Sequence, residues 1–210
     1  MMELFKKYKI TLSQKQTEKF EKFLELFLEK NAQINLSSIR EKDEVVEKHF
    51  IDSLMLTKFI NLSWNIWDLW TWGGFPWIPL WIFYEDAEDF SMDLIDSTEK
   101  KIKSCQYFIE NLELENIKAI VGRAEEMRRK DEYKEKYDFL LSRAVAYFPK
   151  LLEYALPLVK KWGYFIAYKS NNPEELEEGE KILKKRKAKI EKIETYILGD
   201  QERILIFVRK

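Results

Sequence analysis

The sequence predicts an α/β protein: a mostly parallel central sheet with a C-terminal antiparallel hairpin, preceded by N-terminal helices. From residue 65 onward, short apolar runs alternate with segments of helical length, as in βαβ units whose parallel strands are covered on both faces. The tail instead contains two strand-like segments, 189–198 and 203–209, separated by a Gly199-Asp200 turn that favours a hairpin. The first 60 residues carry apolar side chains at helical spacing.

The N-terminal helices are predicted from one apolar stripe and one cap. Phe20, Phe23 and Phe27 recur at spacings of three and four, and Ser13 is a suitable N-cap for the helix that carries them. A second helix is predicted over 43–59, after a polar segment at 31–40. We therefore divide the chain into an N-terminal helical segment, 1–60, and an α/β domain, 61–210.

Strands and helices of the α/β domain are predicted in alternation. The strands are predicted at 66–69, 90–95, 117–121, 137–141 and 164–168, and the helices at 77–84, 98–111, 123–130 and 148–160. An acidic-to-basic helix, in keeping with the helix dipole, follows from Pro173. Open parallel sheets bind ligands at the carboxyl ends of their strands, so we expect chemistry in the loops after 69, 95, 121 and 141.

Composition excludes several classes of protein. The chain has 210 residues, of which 46% are hydrophobic and 35% charged, and this favours a folded globular domain over disorder. One cysteine and one histidine exclude a disulfide scaffold and a cysteine-based zinc site, and we expect no metal. Without a long apolar run, we expect a cytoplasmic monomer with no membrane partner.

Charge does not indicate a partner. The net charge of −1 divides into +1 over 1–60, −8 over 61–180 and +6 over 181–210. A nucleic acid would therefore have to bind local basic patches, and the basic end of the Pro173 helix is most simply a solvated face.

Glycine is unusually scarce and tryptophan unusually common. Average usage predicts roughly 15 glycines, whereas the chain has 6, together with 7 tryptophans. The loop after the first predicted strand reads Asp-Leu-Trp-Thr-Trp-Gly-Gly-Phe-Pro-Trp over 68–77. With glycine in place of tryptophan it becomes a nucleotide-cofactor loop, in which an acidic residue ends a strand and glycines precede a helix N-terminus. The alternative is a tryptophan-rich core or membrane-surface patch.

This loop resembles the first motif of S-adenosylmethionine-dependent methyltransferases, in particular the 16S rRNA guanine-N7 methyltransferases once named glucose-inhibited division protein B. Further stretches that match that family, in order and spacing, are the segments 31–40, 49–54, 94–101, 122–125, 141–144 and 160–169. The departures are chiefly tryptophan for glycine at 70, 72, 77 and 162, and Ser170 where the family often has glycine.

The resemblance implies a Rossmann-like class I methyltransferase fold that uses S-adenosylmethionine. The cofactor-binding positions that it implies are Asp68, Trp70, Trp72, Gly74, Phe75, Asp96, Ala124, Glu125 and Arg143. Asp96 would accept hydrogen bonds from ribose hydroxyls, although an aspartate there is also a suitable helix cap.

The resemblance also implies a 16S rRNA partner within the small ribosomal subunit. Arg143, Asn35 and His49 are the candidate catalytic residues, and Asn31 and Asp52 would line the same RNA cleft. The candidate RNA-binding residues are Arg40, Lys100, Lys101, Arg123 and Lys169. Helix caps, a satisfied buried histidine and solvated lysines are the structural alternatives. Guanine N7 carries a free lone pair, so the reaction requires orientation rather than a strong base.

Our hypothesis for the tryptophans is recoding: some bacterial lineages read UGA as glycine, and translation under another code prints tryptophan. Trp64, Trp67 and Trp81 fit this hypothesis less well than the other four. If the tryptophans are genuine, the loop is overfilled and a catalytically impaired RNA-binding or assembly homologue is the better interpretation. A NAD-dependent oxidoreductase on the same type of fold is a further alternative.

Overall fold

The computed structural model describes residues 1–62, 65–69, 73–87, 91–143 and 146–210; the side chains of residues 65 and 67–69 lie outside that description. The N-terminal helices are α1 (Met2–Lys7), α2 (Gln14–Ile34) and a continuous helical segment over 42–58. That segment consists of α3 (Lys42–Val45), a π-helix (Val46–Ile51), α4 (Asp52–Leu54) and a 3-10 turn (Met55–Lys58). Ser13 caps α2 in a reciprocal capping box with Gln16, as the sequence predicts.

The α/β domain contains seven described strands. These are β1 (Asn65–Leu69), β2 (Ser91–Asp96), β3 (Ile117–Val121), β4 (Tyr137–Arg143), β5 (Val159–Lys169), β6 (Lys189–Leu198) and β7 (Gln201–Arg209). Its described helices are α5 (Trp77–Tyr84), α6 (Glu99–Asn111), α7 (Ala124–Met127), α8 (Phe148–Ala155) and α9 (Pro173–Arg186), with a 3-10 turn at Asp131–Tyr133.

One sheet unites these strands in the order β3-β2-β1-β4-β5-β7-β6. The first five strands are parallel, whereas β7 pairs antiparallel with β5 and β6 pairs antiparallel with β7. The predicted parallel sheet and C-terminal hairpin are therefore confirmed. The chain passes outward from β1 to β3 and then returns to the other side of β1, so the order reverses between β1 and β4.

Three predicted elements have wrong boundaries. The helix predicted over 148–160 ends at Ala155, and β5 begins already at Val159 rather than at 164. The helix predicted over 123–130 is a single turn, Ala124–Met127. Residue 90, the predicted start of the second strand, lies outside the described residues.

The N-terminal helices share their core with one face of the sheet. Phe20, Phe23 and Phe27 of α2 are buried in the same apolar cluster as Ile66 of β1 and Leu94 of β2. The other face is covered by α7, α8 and α9, whose apolar side chains form a second cluster with β4 and β5. The helices before residue 60 are thus packed directly onto the sheet.

One of the suspect tryptophans, Trp162, occupies a position that favours glycine, and a second, Trp77, leaves a polar atom unsatisfied. Trp162 has φ of +71° and is 67% exposed. It lies in a bulge: between two successive paired positions β4 advances by two residues, whereas β5 advances by five, from Val159 to Tyr164. A bulge residue with left-handed φ is typically glycine. Trp77 is fully buried, and its indole N–H has no hydrogen-bond partner among the described residues. Trp81, in contrast, donates to the Glu115 carbonyl oxygen at 2.9 Å.

Candidate functional site

The candidate site lies at the carboxyl ends of the parallel strands, where the strand order reverses. Open α/β sheets bind ligands in the crevice at this point. Asp96 ends β2 and Arg143 ends β4 on either side of β1, so the sheet places both at one edge. Asp68 lies in β1 between Leu94 and Leu141, but its side chain is outside the described residues, as are Trp70 and Trp72.

The loop after β1 ends in a turn that requires glycine. Gly73 and Gly74 have φ of +80° and +101°, and a Cβ on Gly74 would lie 2.5 Å from Ile78 Cδ1. The turn leads directly into α5, since the Ile78 amide donates to the Gly74 carbonyl oxygen at 2.9 Å. A side chain at position 74 would collide with Ile78, so glycine is required where the chain enters α5.

Asp96 carries a buried carboxylate oxygen without a protein donor. Its side chain is 1% exposed, and Oδ1 accepts a hydrogen bond from the Thr98 amide at 2.8 Å. Oδ2 has no hydrogen-bond partner among the described residues, and the nearest cation, Lys101 Nζ, is 3.6 Å away. Buried acceptors in native proteins are normally satisfied, so an orphan of this kind at a strand end indicates a ligand position.

The loop after β3 presents a small residue and an acid. Ala124 is buried, and Glu125 is half-buried at the start of α7, preceded by the exposed Arg123. A hydrogen bond from its own backbone N–H lowers the pKa of Glu125, with a smaller contribution from the Tyr154 hydroxyl. The Gly122 amide donates to the Asp96 carbonyl oxygen at 3.0 Å, which joins this loop to the end of β2.

Arg143 is buried and bonded on several sides. Nη1 lies 3.2 Å from Asp52 Oδ2 and 3.2 Å from the Lys48 carbonyl oxygen. Nη2 lies 3.2 Å from His49 Nδ1, and the guanidinium carbon is 5.2 Å from the centroid of the Phe75 ring. At 5% exposure, Arg143 joins the end of β4 to the N-terminal helices and to the loop after β1.

The π-helix explains how the helical segment receives this guanidinium. A π-helix bonds each N–H five residues back, so its ladder is out of register with that of an α-helix. The carbonyl groups of Lys48 and His49 in this π-helix accept from Arg143, and that of His49 also accepts from the Asp52 amide and the Ser53 hydroxyl. Such π-helical turns are frequent at functional sites.

His49 is a neutral, buried histidine. Burial, and after it the neighbouring Arg143 guanidinium, lowers the pKa of His49 to about 3. Its Nε2 is 2.9 Å from Ser37 Oγ, and its ring stacks at 4.8 Å on Phe75. The ring is therefore uncharged near neutral pH and is held on both sides by protein groups.

A tight turn over 35–40 extends this polar network to the surface. Asn31 is 1% exposed; it accepts from the Ser37 amide at 2.6 Å and donates to the Ile39 carbonyl oxygen at 2.9 Å. At the exposed end of the turn, Arg40 donates to Asn35 Oδ1 at 2.8 Å, and Asn35 has a left-handed φ of +56°. Asn35, Ser38 and Arg40 are the exposed members of this segment.

The remaining predicted RNA-binding cations differ in whether other protein groups already bind them. Lys169, at the end of β5, pairs with Glu175 at 2.6 Å and donates to the Ala146 carbonyl oxygen at 3.1 Å. Lys100 and Arg123 are exposed, and neither forms an ion pair with a described residue. The structure thus joins Arg143, His49 and Phe75 directly, whereas Asn35 and Arg40 form a separate exposed pair.

Tyr196 and Ser37 are components that the sequence did not identify. Tyr196 in β6 donates to Asp52 Oδ1 at 2.7 Å. The C-terminal hairpin therefore holds Asp52, the carboxylate that pairs with Arg143. Burial raises the pKa of the Tyr196 hydroxyl, which therefore stays protonated as the donor. Tyr196 is far from Asp52 in sequence, so no local pattern predicts their contact. The only sequence feature that pointed to Ser37 is its position in the polar segment 31–40.

The donor set fits S-adenosylmethionine. Asp96 Oδ2 can accept from a ribose hydroxyl. Ser142 Oγ, next to Arg143 in β4, is a second buried polar atom without a partner among the described residues. No cluster of metal-ligating side chains is found in the described parts of the chain, and no described helix is long and apolar enough to span a membrane.

Comparison with known proteins identifies the family. The model of the family described as rRNA small subunit methyltransferase G (GidB) matches residues 16–205. Ribosomal RNA small subunit methyltransferase G of Lachnoclostridium phytofermentans is 45% identical over 204 residues, which cover 95% of this chain and 83% of that protein. The Desulfitobacterium hafniense protein of the same name is 40% identical over 204 residues, covering 96% and 84%.

Solved structures agree on the fold. A SAM-dependent methyltransferase from Aquifex aeolicus has a TM-score of 0.57 at 17% identity, covering 79% of this chain and 92% of that one. M. jannaschii TYW2 in complex with AdoMet has a TM-score of 0.58 at 14% identity, covering 82% and 77%. The predicted Rossmann-like methyltransferase fold is confirmed, and the chain belongs to the rRNA small subunit methyltransferase G family.

Proposed function

We propose that this chain transfers a methyl group from S-adenosylmethionine to N7 of a guanine in the 16S rRNA of the small ribosomal subunit. The observation that carries the proposal is the buried, donor-free Oδ2 of Asp96 at the end of β2, next to β1, the strand that precedes the Gly73-Gly74 turn. Membership of the methyltransferase G family supports the rRNA substrate.

We assign cofactor binding to the loop after β1, including positions 68, 70, 72, 74 and 75, and to Asp96, Ala124 and Glu125. S-adenosylmethionine supplies, when bound, an electrophilic methyl group on a sulfonium sulfur. The loop that contains the Gly73-Gly74 turn would hold it, and Asp96 would accept a hydrogen bond from one of its hydroxyls. The guanine lone pair is already available, so no side chain has to remove a proton, which agrees with the neutral, bonded state of His49.

Of the three candidate catalytic residues, two are assigned a positioning role. Arg143 and His49 are buried, and they fix Phe75 and the helical segment at the site. Asn35 is exposed, and its amide N–H₂ forms no hydrogen bond with a described residue, so it is free to donate to a purine edge.

The predicted RNA-binding cations would bind phosphates. Arg40, Lys100 and Arg123 are exposed and can do so directly. Lys101 and Lys169 would first have to leave Asp96 and Glu175.

The NAD-dependent alternative is not favoured. Dinucleotide-binding sheets place a sixth parallel strand beside the fifth, whereas here β7 runs antiparallel to β5. Isothermal titration with S-adenosylmethionine and with NAD separates the two: we expect saturable binding of the first alone. Binding of NAD alone would contradict the proposed cofactor.

The impaired-homologue alternative depends on the tryptophans. We propose glycine at 70, 72, 77 and 162 in the native protein, supported by the left-handed φ of Trp162 and the orphan indole of Trp77. The tryptic peptide spanning residues 59–100, taken from the native organism, contains six of the seven tryptophan positions. A mass that corresponds to glycine confirms recoding, and a mass that corresponds to tryptophan refutes it.

Recombinant protein provides a matched test. A variant with Trp70→Gly, Trp72→Gly, Trp77→Gly and Trp162→Gly is compared with the sequence as printed. We expect the glycine form alone to bind S-adenosylmethionine and to methylate small subunits. Equal activity of the two forms would show that the loop tolerates tryptophan.

A further inference from the structure

We propose a second RNA-binding surface at the edge of the sheet opposite the site, which holds backbone phosphates of small-subunit rRNA. This inference rests on the proposed function. The surface is an open depression of about 650 Å³, here called the basal depression. It is lined by Arg128, Arg129, Lys134, Glu135, Pro157, Arg186 and Lys210.

The basal depression lies at the amino ends of β4 and β5. Lys134, Glu135 and Pro157 immediately precede these strands, and the Glu135 amide donates to the Pro157 carbonyl oxygen at 3.1 Å. Arg186 ends α9, the acidic-to-basic helix that the site does not use. The fold therefore gathers cations from four separate stretches of the chain at one place.

The residues that line the depression carry more positive than negative charge, although Lys134 is paired with Asp131 at 2.5 Å. Five of its seven lining residues are cationic and one is acidic. Glu135 is paired with Lys210 at 2.9 Å, and Arg128 donates to the Glu153 carbonyl oxygen at 3.2 Å. Arg129 and Arg186 are exposed, and neither has an ion-pair partner in the part of the chain that the structure describes. Two guanidinium groups are thus available to an external anion.

Phosphodiester groups are the ligand that best suits these guanidinium groups. The guanidinium fork matches the oxygens of a phosphate in a bidentate manner and is weakly hydrated. The chain as a whole has a net charge of −1, so a polyanion is attracted only to a local patch of this kind. The segment 181–210, which contributes Arg186 and Lys210, has a net charge of +6.

The position of the depression also indicates the size of the RNA. β4 has seven residues and separates Lys134 and Glu135 from Arg143; at a rise of about 3.3 Å per residue, the two edges are roughly 20 Å apart. At about 3.4 Å per stacked nucleotide, an RNA of no more than about five nucleotides bound at the site would not reach the other edge. We therefore infer that the depression contributes to binding of the folded small subunit and not of a short fragment.

The experiment compares the variant Arg129→Glu/Arg186→Glu with a control, Lys22→Glu/Lys118→Glu. Both pairs are exposed and produce the same change in net charge, but the control lysines lie on α2 and β3, away from the depression. The probes are purified small subunits and a short RNA containing the methylated guanine. Binding is measured at several salt concentrations, together with methylation and S-adenosylmethionine affinity.

We expect the depression variant to bind small subunits about tenfold or more weakly. Its slope of log affinity against log salt should fall by about 1 to 2, because two phosphate contacts are lost. Its affinity for S-adenosylmethionine and its methylation of the short RNA should stay at the wild-type level. Wild-type binding by the depression variant, or an equal loss in the control, would overturn the inference. Absence of methylation by the wild-type protein would instead contradict the proposed function.

Discussion

The two edges of the sheet use arginine in opposite ways. At the carboxyl edge, Arg143 is 5% exposed and bonded to a carboxylate, two backbone carbonyls and a histidine ring. At the amino edge, Arg129 and Arg186 are exposed and lack ion-pair partners among the described residues. The same side chain therefore fixes geometry at one edge and remains available to an external anion at the other.

The difference follows from desolvation. A buried ion pair has lost its water, so it is stable only when every donor and acceptor is satisfied, and the loss of one partner is severe. Exposed charges interact weakly with neighbours and are screened by salt, but they can exchange counterions for phosphates. Substitutions at the carboxyl edge should therefore affect stability and catalysis, whereas those at the amino edge should affect RNA affinity and its salt dependence.

The largest expected effect is that of Asp52→Asn. This change removes the charge that balances the buried Arg143, and we expect the free energy of unfolding to fall by about 3 kcal/mol. Asp138→Asn is the control near the amino edge, where Asp138 pairs with the half-exposed Lys160 at 2.8 Å; its effect should stay below about 1 kcal/mol. Urea unfolding of both variants measures the difference, and equal losses would contradict the contrast between the edges.

Asp96→Asn should weaken cofactor binding. The substitution exchanges the orphan acceptor for a donor, and loss of a charged hydrogen bond is worth about 1.5–3 kcal/mol, or ten- to a hundredfold in affinity. Asp93→Asn, three residues earlier in β2, is the matched control because Asp93 pairs with Lys136 and Tyr137. Titration calorimetry with S-adenosylmethionine should show wild-type affinity for the control; similar losses in both variants would remove Asp96 from the site.

Acid should destabilise the protein through His49. Its pKa is about 3 in the fold against an ordinary 6.5, so the unfolded chain binds the additional proton between these values. The stabilising contribution is complete above pH 6.5 and is lost as the pH falls, by about 1.4 kcal/mol per unit, or about 2 kcal/mol at pH 5.

Because His49 is the only histidine, unfolding measured from pH 7 to pH 5 reports on it with little interference. The variant His49→Gln should have a flatter profile over that range. An unchanged slope in the variant would show that another group causes the loss.

The smallest expected effect is that of Tyr196→Phe. Removal of one buried hydrogen bond to Asp52 should lower the free energy of unfolding by about 1 kcal/mol. It should also reduce kcat several-fold while the affinity for S-adenosylmethionine remains unchanged, since Asp52 positions Arg143. Tyr164→Phe, which loses only an exposed bond to Glu191, is the control. A combined variant with Arg143→Lys should show no additional loss of kcat; a multiplied loss would mean that Tyr196 does not act through Arg143.

Sequence patterns predicted the order of strands and helices because each strand is a short apolar run between turns. They placed the start of β5 too late. The strand begins at Val159, directly after an apolar stretch with a helical pattern, and the bulge at Trp162 interrupts it. Hydrophobic period alone does not distinguish a buried helix end from a strand start.

For the candidate site, spacing and resemblance pointed to Asp96, Arg143 and His49, because each belongs to a local motif. They did not reveal that Arg143 is buried, since its partners are contributed by the helical segment over 42–58 and by a strand of the C-terminal hairpin. Tyr196 is 144 residues from Asp52, and a contact at that separation depends on tertiary packing that no local pattern encodes.

Transfer of labelled methyl from S-adenosylmethionine to small ribosomal subunits would test the proposed reaction itself. The enzyme should be purified from its native organism, so that each codon is read as the cell reads it. Nucleosides from the recovered 16S rRNA are then analysed by mass spectrometry. We predict label in 7-methylguanosine at a single guanine; no incorporation, or label on another atom or another RNA, would contradict the account.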